Sequence, residues 1–168
     1  ALIHDLLHQN PGRSQVELIA YLRKLTDHLA ASFGVAGIRQ VVSGEGTAFL
    51  ALEKAIPCGL LVNELVSNCY KHAFPNRSGR IAIHVAYDEN RVALTIADDG
   101  VGLPPNFKID GRRSLGLKLV ETLATRQLRG ALEFSGGVGT TVRVDFAGGN
   151  EPDEEARIES SEKEVRCL

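Results

Sequence analysis

Asn63-Glu64-Leu65-Val66-Ser67-Asn68-Cys69-Tyr70-Lys71-His72-Ala73-Phe74-Pro75 is the stretch on which the fold turns. At helical spacing Glu64, Asn68, Lys71 and His72 recur at i, i+4, i+7 and i+8 and share one side, while Leu61, Val62, Leu65, Val66 and Cys69 supply the other. A carboxylate, an amide and an ammonium in line suit a metal-bound polyphosphate. Asn offers a neutral oxygen to Mg²⁺, Lys offers a point charge to phosphate, and Glu can orient or deprotonate a nucleophile. Alone, the stretch fits a half-exposed helix with a solvated polar face equally well.

Upstream, residues 1–9 read as the end of a helix with Ile3, Leu6 and Leu7 apolar, broken at Asn10-Pro11-Gly12. Ser14-Gln15-Val16-Glu17 has the form of a capping box with Ser14 at the N-cap. The helix it opens carries Leu18, Leu22, Leu25, Leu29 and Phe33 on one stripe and ends at Gly34. Residues 38–43 and 46–51 read as short strands around Gly44-Glu45-Gly46. Pro57 lies near the start of the next helix, which stops at Phe74-Pro75.

Downstream the period changes from helical to two. Ile81, Ile83, Val85 and Tyr87 alternate with smaller or polar residues, and after Asp88-Glu89-Asn90 so do Val92, Leu94 and Ile96. This is an antiparallel hairpin. Residues 98–114, rich in Gly, Pro and charge, form a long loop of the kind that is usually functional. Leu117 to Gln127 is helical, and Leu132/Phe134 and Val142/Val144/Phe146 alternate in two last strands. A sheet with one strongly apolar face needs helices to cover it, so the expected fold class is α+β: a two-layer α/β sandwich with a mixed, mostly antiparallel sheet, preceded by a helical segment.

The 168 residues suggest one domain or one domain with appendages. With 43% hydrophobic and 24% charged residues the composition is that of an ordinary globular protein, and a net charge of −2 gives no field for nucleic acid. No apolar run approaches the roughly 20 residues of a membrane span, and no signal peptide opens the chain. Cys58 and Cys69 lie in apolar segments and read as buried thiols, which fits a cytoplasmic location. The chain has no methionine and reads as a fragment of a longer protein, whose parent could be membrane-associated. Residues 151–168 hold seven acidic and three basic residues, so 148–168 is expected to be an acidic, disordered tail.

Three further motifs follow the opening stretch. Asp98-Asp99-Gly100-Val101-Gly102 places a carboxylate at a strand end before two glycines, which lets a flat ring approach the backbone. Arg112-Arg113-Ser114-Leu115-Gly116-Leu117-Lys118 runs a loop into a helix, whose free N–H groups beside two arginines make an anion site. Gly137-Val138-Gly139-Thr140 turns between two strands. Each also has an ordinary structural use, as a surface turn, a serine cap or a tight hairpin. No P-loop or Rossmann glycine pattern is present.

The order of the four motifs resembles the GHKL ATP-binding (Bergerat) fold of sensor histidine kinases, DNA gyrase and related ATPases. Glu64 to Asn68 matches the N box, Asp98 to Gly102 the G1 box, Ser114 to Leu117 the G2 box and Gly137 to Thr140 the G3 box. The match covers about residues 36–147, with 1–33 then the latter part of a dimerisation and phosphoacceptor region. NELVSNCYKHAFP and ALIHDLLHQ look like the kinases with the second type of dimerisation domain.

That resemblance implies ATP and Mg²⁺ as cofactors. Asn68 would coordinate Mg²⁺, Lys71 would approach the phosphates, and His72 would position groups nearby. Asp98 would bind the adenine amine, Gly100 and Gly102 would line the base, and Thr140 would support the adenine end. Arg113, Ser114 and the backbone of Leu115, Gly116 and Leu117 would cradle phosphate. Glu64 occupies a position that serves as general base in gyrase-type ATPases and assists phosphoryl transfer in kinases. The implied activity is protein histidine kinase: transfer of the ATP γ-phosphate to a histidine and onward to a response-regulator receiver domain. The implied partners are that domain, an upstream sensor domain of the same chain and a second copy in a homodimer. His4 resembles an acceptor, but in this subfamily the acceptor histidine lies further upstream. Rival functions are a hydrolytic ATPase and a non-catalytic degenerate kinase. Ser114 departs from the Gly common in the G2 box, and the loop between the G1 and G2 boxes is short.

Overall fold

The computed structural model describes residues 15–75, 78–103 and 115–148. Five strands form the main sheet in the order β2–β4–β5–β7–β6. They are β2 (Ile38–Glu45), β4 (Gly79–Asp88), β5 (Arg91–Asp98), β6 (Ala131–Gly137) and β7 (Gly139–Ala147). β2 runs parallel to β4, and every other pairing in this sheet is antiparallel. A parallel neighbour needs a crossover. The chain supplies it with β3 (Phe49–Ala51) and the long helix α2 (Leu52–Asn68). α1 (Leu18–Phe33), α2 and α3 (Leu115–Thr122) supply the covering layer, so the expected two-layer α+β sandwich is the architecture found.

Alternation decides which face is dry. Ile81, Ile83 and Val85 of β4, Val92, Leu94 and Ile96 of β5, and Val142, Val144 and Phe146 of β7 are all buried. The residues between them, such as Ala82, His84, Thr95 and Arg143, are half-buried or exposed. The antiparallel register sets Ile83 opposite Ile96 and Leu94 opposite Val144, so the apolar rows stack across strands. The β4–β5 hairpin closes through Glu89 and Asn90 at φ 41° and 70°, the left-handed pair that a tight two-residue turn requires. Against this face α2 buries Leu61, Val62, Leu65 and Val66. Fully burying such a side chain stabilises by about 1.5–3 kcal/mol.

Three local expectations are corrected. Gln15–Glu17 is a short strand, β1, paired antiparallel with β3 to form a separate two-stranded sheet. The helix therefore starts at Leu18, and its cap is the Glu17 carboxylate, which accepts from the N–H groups of Ile19 and Ala20 at 3.0 and 2.7 Å. Ser14 lies outside the described residues, as do residues 1–13. A carboxylate satisfies two orphan N–H groups at once and also suits the helix dipole. The strands read at 38–43 and 46–51 run instead from Ile38 to Glu45 and from Phe49 to Ala51, and they join different sheets, β2 pairing with β4 and β3 with β1. Pro57 is interior to α2 rather than at its first turn. Gly34 ends α1 as expected, at φ 58° with its N–H bonded to the Ala30 carbonyl.

The sequence alone assigns residues 1–33 to an upstream region. In the structure Leu18, Tyr21 and Leu22 are buried in the same core as α2 and the sheet. Both α2 and α3 end in π turns, Cys69–Ala73 and Leu123–Gln127. The first of these reaches the candidate site.

Candidate functional site

The site lies where the C-terminal end of α2 meets the ends of β5 and β7. Its centre is Asp98, the last residue of β5. The period-two alternation that buries Val92, Leu94 and Ile96 carries Asp98 onto the same inner face, and it is only 9% exposed. A carboxylate that deep must be hydrogen-bonded. Its Oδ1 accepts from the backbone N–H of Gly100 at 2.9 Å and of Thr140 at 3.3 Å. Its Oδ2 accepts from the Cys69 thiol at 3.5 Å. Asp99 points the other way and accepts from the Arg80 N–H at 2.6 Å. One of two adjacent aspartates thus ties down the loop, and the other faces inward.

Close backbone packing fixes the surroundings. The N–H of Val101 donates to the Ala73 carbonyl at 3.0 Å, which clamps the Asp98–Gly102 loop to the end of the α2 π turn. A β-carbon at position 100 would collide with that carbonyl, so the residue there must be glycine. Gly139, at φ 81°, brings the β6–β7 turn so near the Asp98 carbonyl that no side chain fits between them.

Two adjoining cavities open beside Asp98. The inner one, about 70 Å³, is walled by Leu65, Ile96, Leu103, Leu117, Phe134 and Val142, with Asp98, Cys69 and Thr140 contributing polar atoms. The outer one, about 240 Å³, is lined by Asn68, His72, Val101, Gly102 and Leu117 as well as Cys69, Asp98 and Thr140. An apolar slot with one oriented carboxylate, leading to an amide and an imidazole, suits a flat heteroaromatic ring with a polar extension. Burial, with the Asp98 carboxylate beside it, pushes the Cys69 thiol well above its ordinary range, so it stays protonated and can only donate to that carboxylate.

The residues singled out from sequence are distributed as follows. Asn68, His72, Asp98, Gly102, Leu117 and Thr140 share the outer cavity. Gly100 supports the carboxylate. Glu64 turns toward α3, where a β-carbon on Gly116 would come within 2.9 Å of its Oε2. Lys71 is exposed and does not line the cavity. The common face drawn at α-helical spacing is broken by the π turn: each revolution takes more residues there, so His72 stays with Asn68 while Lys71 falls behind. Leu115 is 84% exposed at the start of α3. Arg113 and Ser114 lie outside the described residues. Sequence reasoning missed the inner wall of Leu65, Ile96, Phe134 and Val142 as site residues, although the β5 alternation placed Ile96 beside Asp98. It also treated Cys69 as core alone.

Comparison with known proteins decides the family. The model of the histidine kinase-, DNA gyrase B-, and HSP90-like ATPase family matches residues 53–148, more than half of the chain. The chain belongs to that family. Within it, the chain is 33% identical over 137 residues to the sensor histidine kinase PdtaS of Mycobacterium tuberculosis, covering 79% of this chain and 26% of that kinase. It is 30% identical over 134 residues to blue-light-activated histidine kinase 2 of Erythrobacter litoralis, covering 78% of this chain and 38% of that protein. The histidine kinase domain of the Erythrobacter litoralis EL346 blue-light-activated kinase superposes with a TM-score of 0.77 at 26% identity, over 88% of this chain and 70% of that one. The chain therefore spans well under half of the curated kinases it resembles and corresponds to their ATPase-family domain.

Proposed function

We propose that this chain is the ATP-binding catalytic domain of a two-component sensor histidine kinase. The observation that supports it best is the Asp98 carboxylate, held by two backbone N–H groups at the junction of an apolar slot and a polar cavity that contains Asn68. In this proposal the adenine ring enters the inner slot and its exocyclic amine donates to Asp98. Gly102 and Thr140 flank the ring. The triphosphate extends through the outer cavity past Asn68, His72 and Leu117, and Lys71 and Arg113 are the cations proposed to meet the phosphates. Glu64, turned toward Gly116, serves to orient the segment that covers the phosphates.

Mg²⁺ is implied by the same proposal, and the donors fit it in a particular way. Among the described residues no group of three or more His, Cys, Asp or Glu side chains could hold a metal. Asn68 offers one neutral oxygen, which suits an ion that brings its remaining oxygen ligands from phosphate and water. When bound, the ion would neutralise charge on the phosphates. The protein's share of the chemistry is positioning: it fixes base and phosphate so that the γ-phosphoryl group faces an imidazole nitrogen of a histidine elsewhere in the parent protein. The P–N bond forms as the bond to ADP breaks, and the phosphoryl group then passes to a response-regulator aspartate.

The catalytic unit in this proposal includes β1 and α1, because they share the core of the sheet. The acceptor region and a sensor domain lie upstream in a dimeric parent, and the reaction takes place in the cytoplasm. No helix among the described residues is long and apolar enough to cross a membrane.

Calorimetry with Mg·ATP tests the site. The wild-type chain should bind, Asn68→Ala should lose the Mg²⁺-dependent part, and unchanged affinity in Asn68→Ala would remove that residue from its role. Restoring the upstream segment should give ATP-dependent, acid-labile labelling of a histidine. Steady release of free phosphate without labelling would favour a hydrolytic ATPase instead.

A further inference from the structure

We propose that Cys69 is a positioning residue whose thiol orients the Asp98 carboxylate, and that it thereby sets how strongly the site prefers a purine bearing an exocyclic amine. The inference rests on the nucleotide-binding proposal above and adds a residue that the four sequence motifs do not assign.

The argument is an accounting of lone pairs. An ionised carboxylate has about four acceptor positions, two on each oxygen. Both positions on Oδ1 are taken, by Gly100 N–H and Thr140 N–H. On Oδ2 one is taken by the Cys69 thiol, which among the described residues leaves one position for an incoming amine. The thiol is the part of Cys69 free to do this, because its backbone N–H is already bonded to the carbonyls of Leu65 and Val66. Cys69 opens the π turn and lines both cavities, so its side chain stands at the junction between slot and outer chamber. Desolvation and the neighbouring negative charge keep it as S–H, the form that can donate.

The ligand makes this contact matter. With the site open, water can satisfy Oδ2 whether or not a thiol is present. Once a flat ring fills the apolar slot, that water is displaced. The amine then satisfies one position on Oδ2, and without the thiol the other is left buried and unpaired, a cost borne only in the complex. The same geometry holds Oδ2 toward the ring. A purine without the amine leaves the amine's space to a water, which satisfies Oδ2 with or without the thiol, so its binding is insensitive to the thiol.

The test uses the full chain and two probes: Mg·ATP and the triphosphate of purine riboside, which lacks the 6-amino group. Cys69→Ala should weaken ATP binding by roughly three- to tenfold and leave purine riboside triphosphate within about twofold. Cys69→Ser, which keeps a donor on a shorter bond, should recover part of the ATP affinity. Cys69→Val, which fills the volume without a donor, should not. Equal weakening of both nucleotides, or a Val variant that matches wild type, would show that Cys69 only packs and would overturn the proposal. An independent measurement needs no nucleotide: the infrared S–H stretch that disappears in Cys69→Ala should lie below that of an unbonded thiol. A band at the unbonded position would also overturn it. If the wild type binds neither probe, the ATP proposal falls and the ligand named here falls with it, while the infrared band still decides the Cys69–Asp98 contact.

Discussion

The two ends of α2 are made of similar residues and do different work. Through its first ten residues, Ala55, Cys58 and Leu61 are sealed into the core, and Cys58 has no exposed surface at all. From Leu65 onward the buried side continues through Val66, but Asn68 and Cys69 border cavities, and the helix gives way to a π turn. Burial pushes both thiols upward. At Cys58 the next influence is the Lys54 ammonium, which works against that rise, whereas at Cys69 the Asp98 carboxylate adds to it. One end of the helix is an anchor with no chemistry to offer. The other can present polar groups at fixed positions because the anchor holds it still.

The comparison can be broken at either end. The largest effect is expected at the anchor: Leu61→Ala should lower stability by about 2–5 kcal/mol in chemical denaturation, since the fully buried site leaves a cavity. Asn68→Ala should cost well under that, and equal losses would erase the distinction. At the site end, Asp98→Ala should weaken nucleotide binding by roughly ten- to a hundredfold, as it removes a charged acceptor that also organises two backbone N–H groups. Calorimetry reads this directly, and retained affinity would remove Asp98 from its assigned role.

Alkaline pH acts on both ends together. A thiol whose folded pKa is raised stays protonated after its unfolded counterpart has ionised, so its stabilising effect is intact below the ordinary value of 9.0 and is lost as pH climbs beyond it. Each thiol should contribute a slope of up to about 1.4 kcal/mol per pH unit above that point. Cys58→Ala should remove one such contribution and Cys69→Ala the other, as followed by denaturation midpoints across that range. The smallest effect is expected away from both ends, on the outer sheet face. There Arg143 donates to Asp145 at 2.7 and 2.8 Å and holds its carboxyl below the usual range. The pair is largely exposed, so Asp145→Asn should change stability by no more than about 0.5 kcal/mol at neutral pH. What the pair does contribute should fade as pH falls through the carboxyl's folded pKa.

Much of the fold was legible in the sequence because alternation and helical spacing report burial directly. Ile81, Ile83 and Val85, Val92, Leu94 and Ile96, and Val142, Val144 and Phe146 point to one face by their spacing alone, and the structure buries them there. Gly34 announced the end of α1 because few other residues tolerate its backbone. What misled was local chemistry with a stronger competitor nearby. Ser14-Gln15-Val16-Glu17 has the letters of a capping box, yet Gln15–Glu17 extends to pair with β3 and the cap moves to Glu17. Lys71 satisfied an α-helical spacing that a π turn then changed.

By itself, the sequence determined the two-layer class and the inner face of the sheet, since both follow from short-range periodicity. Tertiary structure decided the rest, because the partners are far apart in the chain. It set β2 beside β4 in parallel and put α1 into the common core. It brought Thr140 to Oδ1 of Asp98 and turned Glu64 toward Gly116. It placed the Cys69 thiol, 29 residues before Asp98, against the other oxygen of that carboxylate. Spacing along a chain cannot report a contact between two elements whose separation is set by packing.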